Sequence, residues 1–158
     1  MDVAPIIALT MGDPAGIGPE VIVKAFQDDT LPLQARVVVI GDARLIQATA
    51  KEYASEILVH KINKPEEGWY QTRTIDVIDL NNVPESISIG KSSAEAGQAS
   101  YEAIKTAVDL ALRDEVSAIT TAPINKQSLH LAGHPFPGHT ELLAHLTESK
   151  ESALMMAG

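Results

Sequence analysis

The sequence of 158 residues predicts an α/β fold, with a parallel or mixed sheet covered by helices on both faces. Three observations lead there. Short apolar runs (PIIALT, ARVVVI, ILVH, IDVIDL and VSAI) recur along the chain, most of them rich in β-branched residues. Stretches with apolar residues at helical spacing lie between many of them. Several runs end directly in Gly, Asp or Pro, the punctuation of strand-to-helix turns.

Composition narrows the class. The chain is 45% hydrophobic and 21% charged, the balance of a globular protein, and its length suits one ordinary domain. Aromatic residues are 4%, so the core must be aliphatic. With no cysteine there are neither disulfides nor thiolate metal ligands. The formal net charge of −9 argues against nucleic acid or an anionic membrane as partner. A small phosphorylated ligand remains compatible, because a local nest of N–H groups and one lysine outweigh a distant field. No apolar run approaches the roughly 18–20 residues that span a bilayer. The N-terminus MDVAPIIALTMGD lacks the basic segment and long apolar core of a signal peptide. The expected location is cytoplasmic.

Taken in order, Pro5 to Thr10 reads as a buried first strand. GDPAGIGPE (Gly12 to Glu20) follows and leads into the helix VIVKAF. Its glycines allow a tight turn and close approach to a ligand, and Pro19 suits the first helical position. Free N–H groups at that helix start face an anion well. The spacing G-x-x-x-G-x-G is not the dinucleotide fingerprint, and a plain strand-to-helix turn explains it equally well. Asp13 and Glu20 read as helix-start caps. Ala35 to Ile40 is a second strand, and Asp42 caps a helix over Ala43 to Ala54. Ile57 to His60 is a third strand, and 63–74 is an exposed loop carrying Trp69 as a partly buried anchor. Ile75 to Leu80 is a further strand, with two aspartates that suit an edge.

Gly90 to Ala94 opens the longest helix, capped by Ser92 or Ser93, with Glu95 in its first turn. Ala96, Ala99, Ala103, Ala107, Val108 and Ala111 line one face at helical spacing, which calls for close packing. The gap 83–91 before it reads as a connection to another part of the fold. Val116 to Ile119 is a buried strand ended by Thr120, Thr121 and Pro123. Asn125 and Lys126 start a short helix stopped by Gly133. Pro135 and Pro137 force an extended link, and a second helix covers Gly138 to Thr147, with Thr140 near its N-cap. Ala153 to Met156 reads as the start of another buried strand. A chain ending at Gly158 in the middle of an α/β unit suggests truncation.

The stretch from Ile119 to Leu146 holds the densest set of chemical groups, including three of the five histidines. Polar loops just past a buried strand are where open α/β sheets bind ligands. His130, His134 and His139 invite a metal site, but Gly133 and Pro135 break the helix that would align the first two. Scattered loop histidines are the better reading. His60 and His145 read as surface or satisfied histidines. His139 and Thr140 project from one turn at a helix start, which suits gripping a phosphate or a hydroxyl. Lys126 offers a point charge nearby, or is solvated.

Three blocks, MGDPAGIGPE (Met11–Glu20), TAPINK (Thr121–Lys126) and AGHPFPGHTELL (Ala132–Leu143), resemble the 4-hydroxythreonine-4-phosphate dehydrogenases of vitamin B6 biosynthesis, over essentially the whole chain. That family includes relatives acting on D-threonate or D-erythronate 4-phosphate. Leu142 and Leu143, where the pyridoxine enzymes often carry an aromatic, lean toward those relatives. The resemblance implies the three-layer α/β/α architecture of isocitrate and isopropylmalate dehydrogenases, here incomplete. It also implies NAD(P)-dependent oxidation of a secondary alcohol beside a carboxylate, then decarboxylation, assisted by a divalent metal (Zn, Mg or Co). The implied substrate is a small phosphorylated hydroxy acid, and the implied assembly is a homodimer.

Carried over residue by residue, His139 and Thr140 match the family's substrate-binding pair. The family's three metal-binding histidines, its phosphate-binding lysine, asparagine and arginine, and its catalytic groups are expected beyond Gly158. Residues 1–158 then form the N-terminal part of a two-part dehydrogenase. The rival expectation for this chain alone is a non-catalytic phosphate-binding or interaction domain.

Overall fold

The computed structural model describes residues 4–30, 35–153 and 155. Among them five strands form one sheet: β1 (Ile6–Thr10), β2 (Arg36–Gly41), β3 (Leu58–Ile62), β4 (Thr74–Asp79) and β5 (Ala118–Thr121). Their order is β3-β4-β2-β1-β5, and all neighbours are parallel. Ala8 at the centre of β1 lies opposite Val38 of β2 on one side and Ile119 of β5 on the other. Among the described residues the helices are α1 (Gly18–Ala25), α2 (Ala43–Tyr53), α3 (Ala94–Leu112), α4 (Lys126–Leu131) and α5 (His139–Leu146), with a 3-10 turn at Pro65–Glu67.

Alternation along the strands divides the core. Val39, Ile75 and Val77 face α1 and α2, where Ile22, Val23, Ile46 and Ala50 meet them. Ile6, Ala8, Val38 and Ile40 point the other way, onto Ala103, Ala107 and Leu110 of α3. The result is three layers with helices on both faces, as the alternating pattern predicts. Burying apolar side chains on both faces of β2 and β4 supplies the main driving force, about 1.5–3 kcal/mol for each large one.

The alanine stripe of α3 packs as its spacing requires. Ala96, Ala99, Ala103 and Ala107 are buried, while Ala111 is only partly covered. At Gly97 the absence of a side chain lets α4 lie against α3, since a Cβ there would sit 1.9 Å from the Ser128 carbonyl oxygen. Asp42, Ser93 and Asn125 cap α2, α3 and α4, their side chains accepting from the N–H groups of Leu45, Ala96 and Ser128.

Several sequence readings need correction. β4 is an internal strand between β3 and β2. Its aspartates need no edge, because Asp76 is satisfied by His60 Nδ1 and the Trp69 and Tyr70 N–H groups, and Asp79 by the Ala43 N–H and Lys61. The last strand begins later than the apolar run suggests, takes in Thr120 and Thr121, and is not buried. Among the described residues it is an edge strand whose positions alternate between exposed and half-buried. Only Val116, just before it, is buried. The cap of α5 is Gly138, which offers no side chain, so His139 and Thr140 are its first two residues. The strand expected over 153–156 falls largely outside the described residues.

Candidate functional site

The chain leaves β1 toward β2 on one side and returns through α3 to β5 on the other. β1 and β5 therefore flank the switch point of the sheet, where open α/β folds bind ligands beyond the strand carboxyl ends. Two of the quoted sequence blocks meet there. Gly12 takes φ +74°, and a Cβ on it would lie 2.4 Å from the Pro123 carbonyl oxygen. The Asp13 N–H donates to that same oxygen at 2.8 Å. Only a glycine lets the loop after β1 close this tightly on the loop after β5.

The Asp13 carboxylate is nearly enclosed and accepts from the Ala15 N–H at 2.9 Å. Burial raises its pKa, and the Ala15 N–H works in the opposite direction. Asp13 therefore ties its own turn rather than capping α1. The residue before α1 is Ile17, and among the described residues no side chain caps that helix. Pro19 removes one of the free donors of its first turn, and Glu20 is engaged by Lys24.

A third loop joins these two. The Gly90 N–H donates to the Ala15 carbonyl at 2.7 Å, Asn125 Nδ2 donates to Ser92 Oγ at 3.1 Å, and Ser92 Oγ lies 3.2 Å from Gln127 Oε1. The segment 83–91, which reads in sequence as a connection leading elsewhere, instead folds back onto the carboxyl edge. The Ser92-Ser93 doublet is the sequence signal for this joint. One serine caps α3 and the other ties α3 to the start of α4. Beside these loops, Pro14, Gly16, Ile17, Tyr53 and Ile89 line a cavity of about 350 Å³.

The third quoted block lies on the β5 side of α3. His139 is half-buried. Its Nε2 is shielded from solvent and has no hydrogen-bond partner among the described residues, and burial lowers its pKa below the ordinary 6.5. The ring is thus neutral near pH 7. Thr140 is half-buried beside it. Among the described residues no hydrogen bond joins either residue to the loops after β1 and β5. Leu142, whose identity leaned toward one set of relatives, is fully buried against Ile104 and Val108. Its aliphatic character serves packing against α3.

The remaining histidines are dispersed. His130 is exposed on α4, and Lys126 is exposed at its start. His134 stacks on Tyr101 with ring centroids 3.6 Å apart, and its Nε2 meets Gln98 Oε1 at 2.9 Å. His145 tilts against Phe136, and His60 stacks on Trp69, which is itself half-exposed. Among the described residues no three His, Asp or Glu side chains gather closely enough to hold a metal ion.

A parallel sheet with loops meeting at the carboxyl ends of its switch-point strands defines the ligand-binding class of open α/β proteins. Within that class the chain belongs to the family of pyridoxal phosphate biosynthetic protein PdxA, whose model matches residues 33–158. It is 46% identical to D-threonate 4-phosphate dehydrogenase of Cupriavidus necator, over 98% of this chain and 46% of that protein. It is 48% identical to the enzyme of the same name from Salmonella typhimurium, over 95% of this chain and 46% of that one. The crystal structure of a 4-hydroxythreonine-4-phosphate dehydrogenase from Burkholderia phymatum superposes with a TM-score of 0.91 at 44% identity, covering 95% of this chain and 46% of its own. The chain spans about half the length of the curated relatives it matches. No helix among the described residues is long and apolar enough to cross a membrane.

Proposed function

We propose that this chain is the N-terminal part of a cytoplasmic, homodimeric dehydrogenase that oxidises a 4-phosphorylated hydroxy acid with NAD(P) and then releases its carboxylate as carbon dioxide. The observation that carries the proposal is the convergence of the loops after β1 and β5 at the switch point, in a chain whose relatives are named phospho-hydroxyacid dehydrogenases. His139 and Thr140 bind substrate. A neutral imidazole with an unpartnered nitrogen suits a substrate hydroxyl better than a phosphate dianion, because it can accept or donate one hydrogen bond without a charge. Leaving that nitrogen buried and unpaired costs about 1–3 kcal/mol, which a bound hydroxyl recovers once the ring turns toward it. Thr140 supplies a second hydroxyl at the same helix start.

Among the described residues no three His, Asp or Glu side chains gather to hold the divalent metal, and the family resemblance places its ligands, with the phosphate-binding and catalytic groups, in the part of the relatives' length that this chain does not span.

Two substrates fit the proposal: 4-phosphohydroxy-L-threonine, which would place the protein in pyridoxal phosphate biosynthesis, and D-threonate 4-phosphate. The curated relatives are named for the second acid and the solved relatives for an enzyme of the first, so the names support both. The test is reduction of NAD by the protein expressed from its native gene, supplied with divalent metal and each acid in turn. One of the two acids is expected to reduce NAD, and His139→Ala is expected to lower kcat/KM by at least about tenfold. No NAD reduction with either acid refutes the reaction, and an unchanged His139→Ala refutes the role of His139.

A further inference from the structure

The segment that carries His139 and Thr140 is held to α3 by a set of side chains outside the loops already described. Between α4 and α5 the chain runs Gly133-His134-Pro135-Phe136-Pro137-Gly138, with Gly133 at φ +84°. It is attached to α3 at two points. The first is His134, whose ring lies flat on Tyr101 at 3.6 Å and 7° between planes. The second is Phe136, which packs against the cluster of Ile104, Val108 and Leu142 and tilts against His145 of α5 at 5.1 Å. The prolines on either side of Phe136 limit the backbone between these attachments.

The first attachment extends into a hydrogen-bonded relay. Glu102 accepts from Gln98 Nε2 at 2.8 Å and from Asn82 Nδ2 at 2.6 Å. With its amide nitrogen committed to a carboxylate, Gln98 presents Oε1 to His134 at 2.9 Å, and an amide oxygen can only accept. His134 Nε2 must therefore carry the proton. Gln98, Tyr101 and Glu102 share one face of α3 at i, i+3 and i+4 spacing, so one helix face clamps both the loop after β4, through Asn82, and the link before α5, through His134. A flat ring with a proton on its far nitrogen meets both demands of this position, and few other side chains do.

We propose that His134, held by Tyr101 and by the Asn82–Glu102–Gln98 relay, is a positioning residue that sets where His139 and Thr140 stand. The proposal rests on the reading that this pair binds substrate. His134 itself does not touch substrate. It fixes the link five residues ahead of His139, and Phe136 carries that constraint to the body of α5.

The test compares His134→Ala, His134→Phe and Gln98→Leu with Lys105→Ala, an exposed α3 residue outside the relay that pairs with Asp109. Two readouts are taken on the protein expressed from its native gene: amide hydrogen exchange of residues 139–146, and KM and kcat for the phosphorylated acid that reduces NAD. His134→Ala is expected to speed exchange in 139–146 and to raise KM by about tenfold with a smaller change in kcat, having lost both the stack and the hydrogen bond. His134→Phe keeps the stack and should fall between His134→Ala and the parent, as should Gln98→Leu. Lys105→Ala should match the parent. The proposal is overturned if 139–146 exchange and KM both stay at the parent's values in His134→Ala while exchange in the sheet is unchanged. Should His134→Ala unfold, His134→Phe and Gln98→Leu decide by the same criterion. If the parent protein reduces no NAD with either acid, the functional reading fails, and exchange in 139–146 alone decides whether His134 holds α5.

Discussion

Replacing Gly97 with alanine sets two physical effects against each other and predicts the sign of the outcome. Gly97 lies inside α3, where alanine is the better helix former by about 0.8–1.0 kcal/mol. Were propensity the whole story, the variant would be more stable. The added Cβ, however, would meet three backbone atoms of α4: the Ser128 carbonyl oxygen at 1.9 Å, its carbon at 2.3 Å and the Leu129 nitrogen at 2.8 Å. Carbon approaches a carbonyl oxygen to about 3.3 Å at closest, so the two helices must part by more than about 1 Å. None of those atoms can rotate away. Overpacking of this kind typically costs about 1–3 kcal/mol, and here the backbone itself must move, so the upper end applies. After subtracting the helical gain, Gly97→Ala should lose about 2 kcal/mol, which for a chain of this size lowers Tm by roughly 4–8 °C. Thermal unfolding followed by circular dichroism reads this directly. A Tm equal to or above that of the parent would mean that α3 and α4 are not in backbone contact, and the account of that interface would fall. The displacement also reaches the site, because α4 follows directly on the loop whose Pro123 carbonyl receives the Asp13 N–H. A loss of activity larger than the loss of stability is therefore expected in the protein expressed from its native gene.

Acid should destabilise the fold through two half-buried histidines, His134 and His139. Burial lowers the pKa of both His134 and His139 below 6.5, so the folded state prefers them neutral while the unfolded chain takes up protons first. Their stabilisation is fully present above pH 6.5 and is lost as pH falls from there toward the folded values, so the urea midpoint should be lower at about pH 5.5 than at about pH 7. The doubly substituted His134→Gln, His139→Asn protein should show a flatter dependence, and an equally steep one would refute the assignment. Asp76→Ala strips the acceptor from His60 Nδ1 and from the Trp69 and Tyr70 N–H groups in a buried site, and should cost about 3 kcal/mol. Trp69 is the single tryptophan and stacks on His60 at 3.7 Å, so its emission should shift in the folded variant. Unchanged emission and stability would mean that Asp76 does not organise that turn.

Legible in the sequence were the alternation of strands and helices, the cap at Asp42, a serine cap at 92 or 93, and the close-packed alanine face of α3, whereas the choice of Ser93 and the capping by Asn125 came from the structure. Each legible feature is written in neighbouring residues: a short polar side chain before an apolar period, or small residues three and four apart, acts over distances the local chain spans. The blocks around Gly12, Pro123 and His139 were visible for the same reason. Tertiary structure alone decided what those blocks touch. That β4 is internal depends on Asp76 finding His60 sixteen residues earlier, and that β5 is an edge depends on what lies beside it. A short apolar run carries no record of either. The meeting of Gly12 with Pro123, of Ala15 with Gly90 and of His134 with Tyr101 joins residues dozens of positions apart. Pattern reading works within one element. Sheet order and the packing of α3 across β1 and β5 bring these loops together, because buried surface is shared among elements that no single stretch of sequence contains.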